Sequence, residues 1–70
     1  MAVTKIIELV GSSSTGSDDA IRAALAEAQA TIRNIKALDV VSVGLRGEDL
    51  SEWRAHVRVS FMIERVSESP

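Results

Sequence analysis

The sequence has no cysteine and no tyrosine, and only one histidine, one tryptophan, one phenylalanine and one proline in 70 residues. Without cysteine there is no disulfide, no thiol nucleophile and no thiolate metal site. His56 is the sole imidazole, so a histidine-based zinc site is not expected, and no Ser-His-Asp set can be assembled around it. An excess of positive charge is also lacking. The formal net charge is -2, which offers no electrostatic footprint for a phosphate backbone, and nucleic acid is not an expected partner. No apolar run approaches the roughly 20 residues that span a bilayer, so no membrane partner is expected either. Residues Met1 to Lys5 lead directly into a strand-like pattern, without a basic region followed by a long apolar core. The expected location is therefore cytoplasmic.

What is present is a composition that folds: 46% hydrophobic and 26% charged residues. Size then sets a limit. A chain this short rarely buries enough core for more than roughly 3–5 kcal/mol of stability alone. Small domains add disulfides, a structural metal or oligomerisation. The first is excluded and the second has no ligand set, so a multimer is expected before any motif is considered.

Val3 to Val10 (VTKIIELV) is rich in β-branched residues and carries apolar side chains on both faces, as in a strand covered on both sides. Gly11 to Ser14 reads as a break made of turn formers. Thr15 to Lys36 reads as a helix, with Thr15 as N-cap and Asp18 three residues on. Asp18 and Asp19 suit the positive end of the dipole, and Arg33 and Lys36 the negative end. Ile21, Leu25, Ala28, Ile32 and Ile35 give a stripe at helical spacing. Six alanines between Ala20 and Ala30 make a slim helix able to lie close to a sheet. Asp39 to Arg46 is a second strand, Gly47-Glu48-Asp49 a hairpin turn, and Leu50 to Arg65 a long third strand. In that strand Trp53, Ala55, Val57, Val59, Phe61 and Ile63 alternate with Glu52, Arg54, His56, Arg58, Ser60 and Met62, so one face meets a core and the other is polar. The expected class is α+β in the order β-α-β-β: one three-stranded antiparallel sheet partly wrapped around one long helix. Residues 1–66 form a single domain, and Ser67 to Pro70 a disordered tail.

Catalytic constellations are poor. His56 lies mid-strand on the polar face and reads as a cross-strand or interface partner. Ser12, Ser13 and Ser14 are ordinary loop chemistry. The segment Gly11 to Gly16 lacks the Gly-Lys-Ser/Thr ending of a phosphate loop, and Asp18 and Asp19 oppose an anion there. No catalytic residue and no metal ligand is assigned. Scattered carboxylates such as Glu48, Asp49 and Glu64 hold a cation only where several copies converge on a symmetry axis.

The segment Val3-Thr4-Lys5-Ile6-Ile7-Glu8-Leu9-Val10-Gly11-Ser12-Ser13 resembles the first strand of the dodecins, small flavin-binding proteins. The alanine-rich helix from Ser17-Asp18-Asp19-Ala20, its exit at Thr31-Ile32-Arg33-Asn34-Ile35 and the closing Val57-Arg58-Val59-Ser60-Phe61 are similar as well. The likeness runs from Val3 to Glu64, with a hairpin about two residues shorter than usual. It implies a hollow homododecamer of tetrahedral symmetry that stores or sequesters flavin (FMN or riboflavin) and is not an enzyme. It also implies which positions meet the ligand. Ala37 falls in the slot where flavin-binding dodecins carry a stacking Trp. Arg54 falls where a Gln bonds the flavin's pyrimidine edge, while Trp53 points at the core. Arg46 adds positive charge nearby. Ala37, Arg54 and Arg46 are therefore the candidate cofactor-binding residues, in a site weakened for flavin or redirected to an anionic ligand. The alternative is a structural dodecameric shell, or an ion-dependent assembly, that binds no flavin.

Overall fold

A computed structural model describes residues 3–63. The chain forms β1 (Val3–Ser13), α1 (Ser17–Thr31), β2 (Ile35–Arg46) and β3 (Glu52–Ile63), the expected α+β order. The three strands make one sheet in the order β1-β3-β2, and both pairings are antiparallel. The long third strand is thus the central one, and β1 and β2 are the edges. The tail expected at Ser67 to Pro70, and the end of the domain at residue 66, lie outside the described residues.

The core is small. Ala20, Ala24 and Ala28 of α1 and Ala55, Val57 and Val59 of β3 are buried. Ile7, Leu9, Ile21, Ile32, Ile35, Leu38 and Trp53 pack around them. The helix therefore faces the sheet with an alanine stripe at i, i+4 and i+8, while Ile21, Ile32 and Ile35 of the stripe Ile21, Leu25, Ala28, Ile32 and Ile35 read from the sequence pack at its margin. Of that set only Ala28 is in the buried core. Alanine wins because it lets the helix backbone come close to the strands, and Gly11 is where it comes closest. A Cβ on Gly11 would lie 2.1 Å from the Ala20 carbonyl oxygen and 2.9 Å from the Ala24 nitrogen.

β2 begins at Ile35 and not at Asp39, β3 begins at Glu52 and not at Leu50, and three boundaries around α1 differ from the sequence reading for related reasons. β1 runs on through Gly11 and Ser12 to Ser13, because Ala55, Arg54 and Trp53 of β3 pair with them. The glycine taken for a turn former serves helix packing instead. α1 starts after Gly16, with no side-chain cap. Ser13 Oγ accepts the Thr15 N–H at 2.9 Å and donates to Asp19 Oδ2 at 2.8 Å, so Thr15 is not the capping residue. The helix ends at Thr31, five residues before Lys36. Ile32 is extended and Asn34 is left-handed at φ 61°, a conformation that asparagine tolerates. The Met62 N–H donates to the Asn34 carbonyl at 3.1 Å, and the chain enters β2. Arg33 and Lys36 lie beyond the helix and do not complement the negative end of its dipole.

Because α1 rests mainly on β1 and β3 and barely touches β2, apolar surface stays uncovered. Val40, Val43 and Leu45 face the helix side of β2 by register yet remain exposed. Ile6 and Val10 are exposed on the opposite face of β1. A protomer with so little buried area and so much exposed Val, Ile and Leu is an incomplete unit.

Candidate functional site

The face of the sheet away from α1 carries the chemistry. Register sets it out in rows across β1, β3 and β2. Ser12, Arg54 and Gly44 form one row. Val10, His56 and Ser42 form the next, followed by Glu8, Arg58 and Asp39. Further along lie Ile6, Ser60 and Ala37. Between β1 and β2, over the first two rows, is an open cleft of about 410 Å³. Its lining includes Ser42, Gly44, Arg46, Arg54 and His56, and no carboxylate.

Two guanidinium groups reach this cleft. Arg46 bends back along its own strand, donating from Nη1 to the Leu45 carbonyl at 2.9 Å. That same nitrogen lies 2.8 Å from where a Cβ of residue 44 would be, so Gly44 leaves the space that Arg46 uses. Arg54 donates from Nε to Glu52 Oε2 at 2.9 Å. Both partners are well exposed, so the pair orients Arg54 more than it stabilises the fold.

His56 donates from Nε2 to Glu8 Oε1 across the β1–β3 seam at 2.7 Å, and Arg58 Nη2 approaches Glu8 Oε2 at 3.5 Å. The hydrogen bond from His56, with the positive charge of Arg58 nearby, holds the Glu8 carboxyl below its ordinary value of 4.5. A carboxylate with a lowered folded-state pKa adds stability that is present above the ordinary value and is lost as pH falls through the lower one. Glu8→Gln is therefore expected to melt below the wild type at neutral pH and level with it in strong acid. Thermal melts across that pH range check this, and a gap that persists in acid would refute it.

The three residues assigned from sequence do not all meet. Arg54 and Arg46 share the cleft. Ala37 pairs with Ser60, six residues along β3 from Arg54, or roughly 20 Å at strand rise. One protomer therefore cannot place Ala37 and Arg54 on the same small ligand. The sequence reading missed the cleft-lining Ser42 and Gly44 and the Glu8–His56 bond. Parity alone placed His56 on the polar face, but only the register names its partner. Trp53 is half-buried at the core edge on the helix side, next to a hollow of about 510 Å³ lined by Asp18, Asp19 and Arg22. Among the described residues no three His, Asp or Glu side chains cluster to hold a metal ion. No described helix is long and apolar enough to cross a membrane.

Residues 3–64 match the family model described as Dodecin. The chain belongs to the dodecin family. An Arg-to-Ala mutant of the Thermus thermophilus dodecin is 37% identical, with a TM-score of 0.83, and the match covers 93% of this chain and 100% of that one. The dodecin of Streptomyces coelicolor is 28% identical at a TM-score of 0.85, covering 93% of this chain and 96% of that one. A calcium dodecin of Mycobacterium tuberculosis, described with a novel calcium-binding site, is 22% identical at a TM-score of 0.79, covering 96% and 99%. At that identity it speaks for the dodecin fold alone. No curated protein matches.

Proposed function

We propose that this dodecin is a non-enzymatic, homododecameric binding protein of the cytoplasm, for flavin storage or sequestration. Its site is altered at Ala37 and Arg54, so that flavin binding is weakened or redirected. The observation that carries this reading is the pairing of β2 with β3. It sets Ala37 and Arg54 on the open face of the sheet, where a ligand has access, and gives neither slot an aromatic ring. An aromatic partner is worth roughly 1–3 kcal/mol to a stacked planar ring, and Ala37 supplies none of it. Arg54 has donors but no acceptor, so it meets the ring carbonyls of a flavin but not its imide N–H. Assembly is supported by the uncovered apolar faces of β1 and β2.

Native mass spectrometry on protein purified without added cofactor, followed by riboflavin and FMN titration, tests the reading. A mass of about 90 kDa is expected, twelve copies of a 7.5 kDa chain. Riboflavin emission should stay largely unquenched at tens of micromolar protein. A stable monomer would overturn the proposal, and full quenching would overturn the altered site. A shell that binds no flavin is the second reading, favoured by the absence of a ring at Ala37. It predicts the same mass with no retained or added ligand, and its ion-dependent form predicts a mass that changes with chelator.

A further inference from the structure

Three described residues have a positive φ: Asn34 at 61°, Gly47 at 98° and Leu50 at 55°. Glycine has no Cβ to clash, and asparagine tolerates the left-handed region. Leucine is disfavoured there, because its Cβ crowds the following carbonyl oxygen. The hairpin tip nonetheless holds Leu50 in place. Its N–H donates to the Gly47 carbonyl at 3.1 Å, and the Ser51 hydroxyl donates to Asp49 Oδ1 at 2.8 Å. The side chain gains nothing from its own protomer. It stands outside the apolar cluster and is 59% exposed. A strained residue persists only where something offsets it, and no core residue packs on Leu50.

Leu50 also ends a row. On the helix side of β2, Val40, Val43 and Leu45 stand opposite Val57, Ala55 and Trp53 of β3. The helix rests on β1 and β3 and barely touches β2, which leaves these three residues 38 to 45% exposed. The ladder closes at Arg46 and Glu52, and Leu50 is in the tip just beyond. Contiguous uncovered apolar surface of this kind marks a protein contact.

We propose that the β2–β3 hairpin is a clasp onto a second copy of this chain, with Val40, Val43 and Leu45 as its apolar lining and Leu50 as its anchor. The inference rests on the homo-oligomeric part of the reading above, and it names residues that hold the copies together. Two observations make the occupant a second copy. The buried core of the protomer is six alanine and valine side chains, too little for a chain of this length to stand alone. The apolar burial it lacks therefore has to come from a partner that is always at hand. The lining also carries no charge that would select a foreign partner, since Leu38, Val40, Val43 and Leu45 make up the helix side of β2 from Val59 to Trp53 of β3. The contact between copies, and not the protomer, then offsets the strain at Leu50.

Substitution at this one position separates a clasp from a plain turn, because the two demand opposite residues. A turn that only needs a positive φ prefers glycine or asparagine. A clasp needs the apolar side chain. Native mass spectrometry and analytical ultracentrifugation over a dilution series give the concentration at which the assembly half-dissociates. Leu50→Gly and Leu50→Asn, which relieve the backbone, should raise that concentration about tenfold or more, the size of burying much of one leucine. Leu50→Met keeps both the strain and the apolar bulk, and should leave it within about threefold. Leu45→Ser should raise it as well, without altering the tip. Assemblies of Leu50→Gly and Leu50→Asn that survive dilution as well as the wild type, or better, would overturn the proposal. So would a Leu45→Ser assembly that dissociates with the wild type. A wild type that is monomeric at every concentration would overturn the assembly reading beneath the clasp, so the two failures are distinguishable.

Discussion

Replacing Gly11 with alanine is expected to remove the folded protomer at room temperature, or to lower its melting temperature by about 15 °C or more. The added methyl would lie 2.1 Å from the Ala20 carbonyl oxygen, 2.9 Å from the Ala24 nitrogen and 3.1 Å from the Ala24 Cβ. The first two are backbone atoms of α1, so no rotamer change relieves the overlap; the helix must lift off β1. Overpacking typically costs about 1–3 kcal/mol, and more where backbone has to move. Lifting the helix also loosens Ala20 and Ala24, two of the three residues that the helix gives to a core of six. A domain of this size has only roughly 3–5 kcal/mol of its own, and each kcal/mol shifts its melting point by about 4–8 °C. Circular dichroism melts of Gly11→Ala beside Ser12→Ala, a neighbour exposed on the opposite face, would decide it. A Gly11→Ala melt within about 5 °C of the wild type would show that the helix does not depend on that approach.

The second large effect is a gain. Ala37→Trp combined with Arg54→Gln is expected to convert weak or absent flavin quenching into strong quenching. A stacked indole restores roughly 1–3 kcal/mol per ring, about 5–150-fold in affinity. Glutamine restores both a donor and an acceptor for the pyrimidine edge. Each single variant should recover part of the signal, with Ala37→Trp the larger share. Because residues 37 and 54 of one protomer lie roughly 20 Å apart on the open face, joint action on one flavin requires different protomers. The rescue should therefore be found in assembled fractions and be lost on dissociation. Quenching equal to the wild type in the double variant, on protein of dodecameric mass, would show that these positions do not meet the flavin.

The site was legible in part. Strict alternation in β3 placed Arg54 and His56 on the polar face and Trp53 toward the core, and the structure agrees on all three. What alternation cannot give is register. That Glu8 is the hydrogen-bond acceptor of His56, and that Gly44 and Ser42 lie beside Arg54 and His56, depend on which residues of β1 and β2 stand opposite β3. Two bulges in β2, between Ile35 and Ala37 and between Val40 and Ser42, shift that pairing with no clear sign in the residues themselves. The helix exit was misread because Ile32 and Ile35 continue a helical spacing, although Ile32 is the extended residue that ends α1 and Ile35 opens β2. Asn34 at positive φ is a single-residue switch that periodicity does not register.

The sequence by itself determined the class, the element order, the absence of thiol and multi-histidine chemistry, and the need for partners. These follow from composition and from periods of two and 3.6, which are local properties of the chain. Tertiary structure decided the rest. It chose the alanine face of α1 over the isoleucine stripe, because only small side chains let the helix lie down on Gly11. It also separated Ala37 from Arg54 by half the length of β3 and gathered Arg46, Arg54 and His56 into one cleft. Those are contacts between residues far apart in the chain, and pairing across the sheet, not spacing along it, sets them.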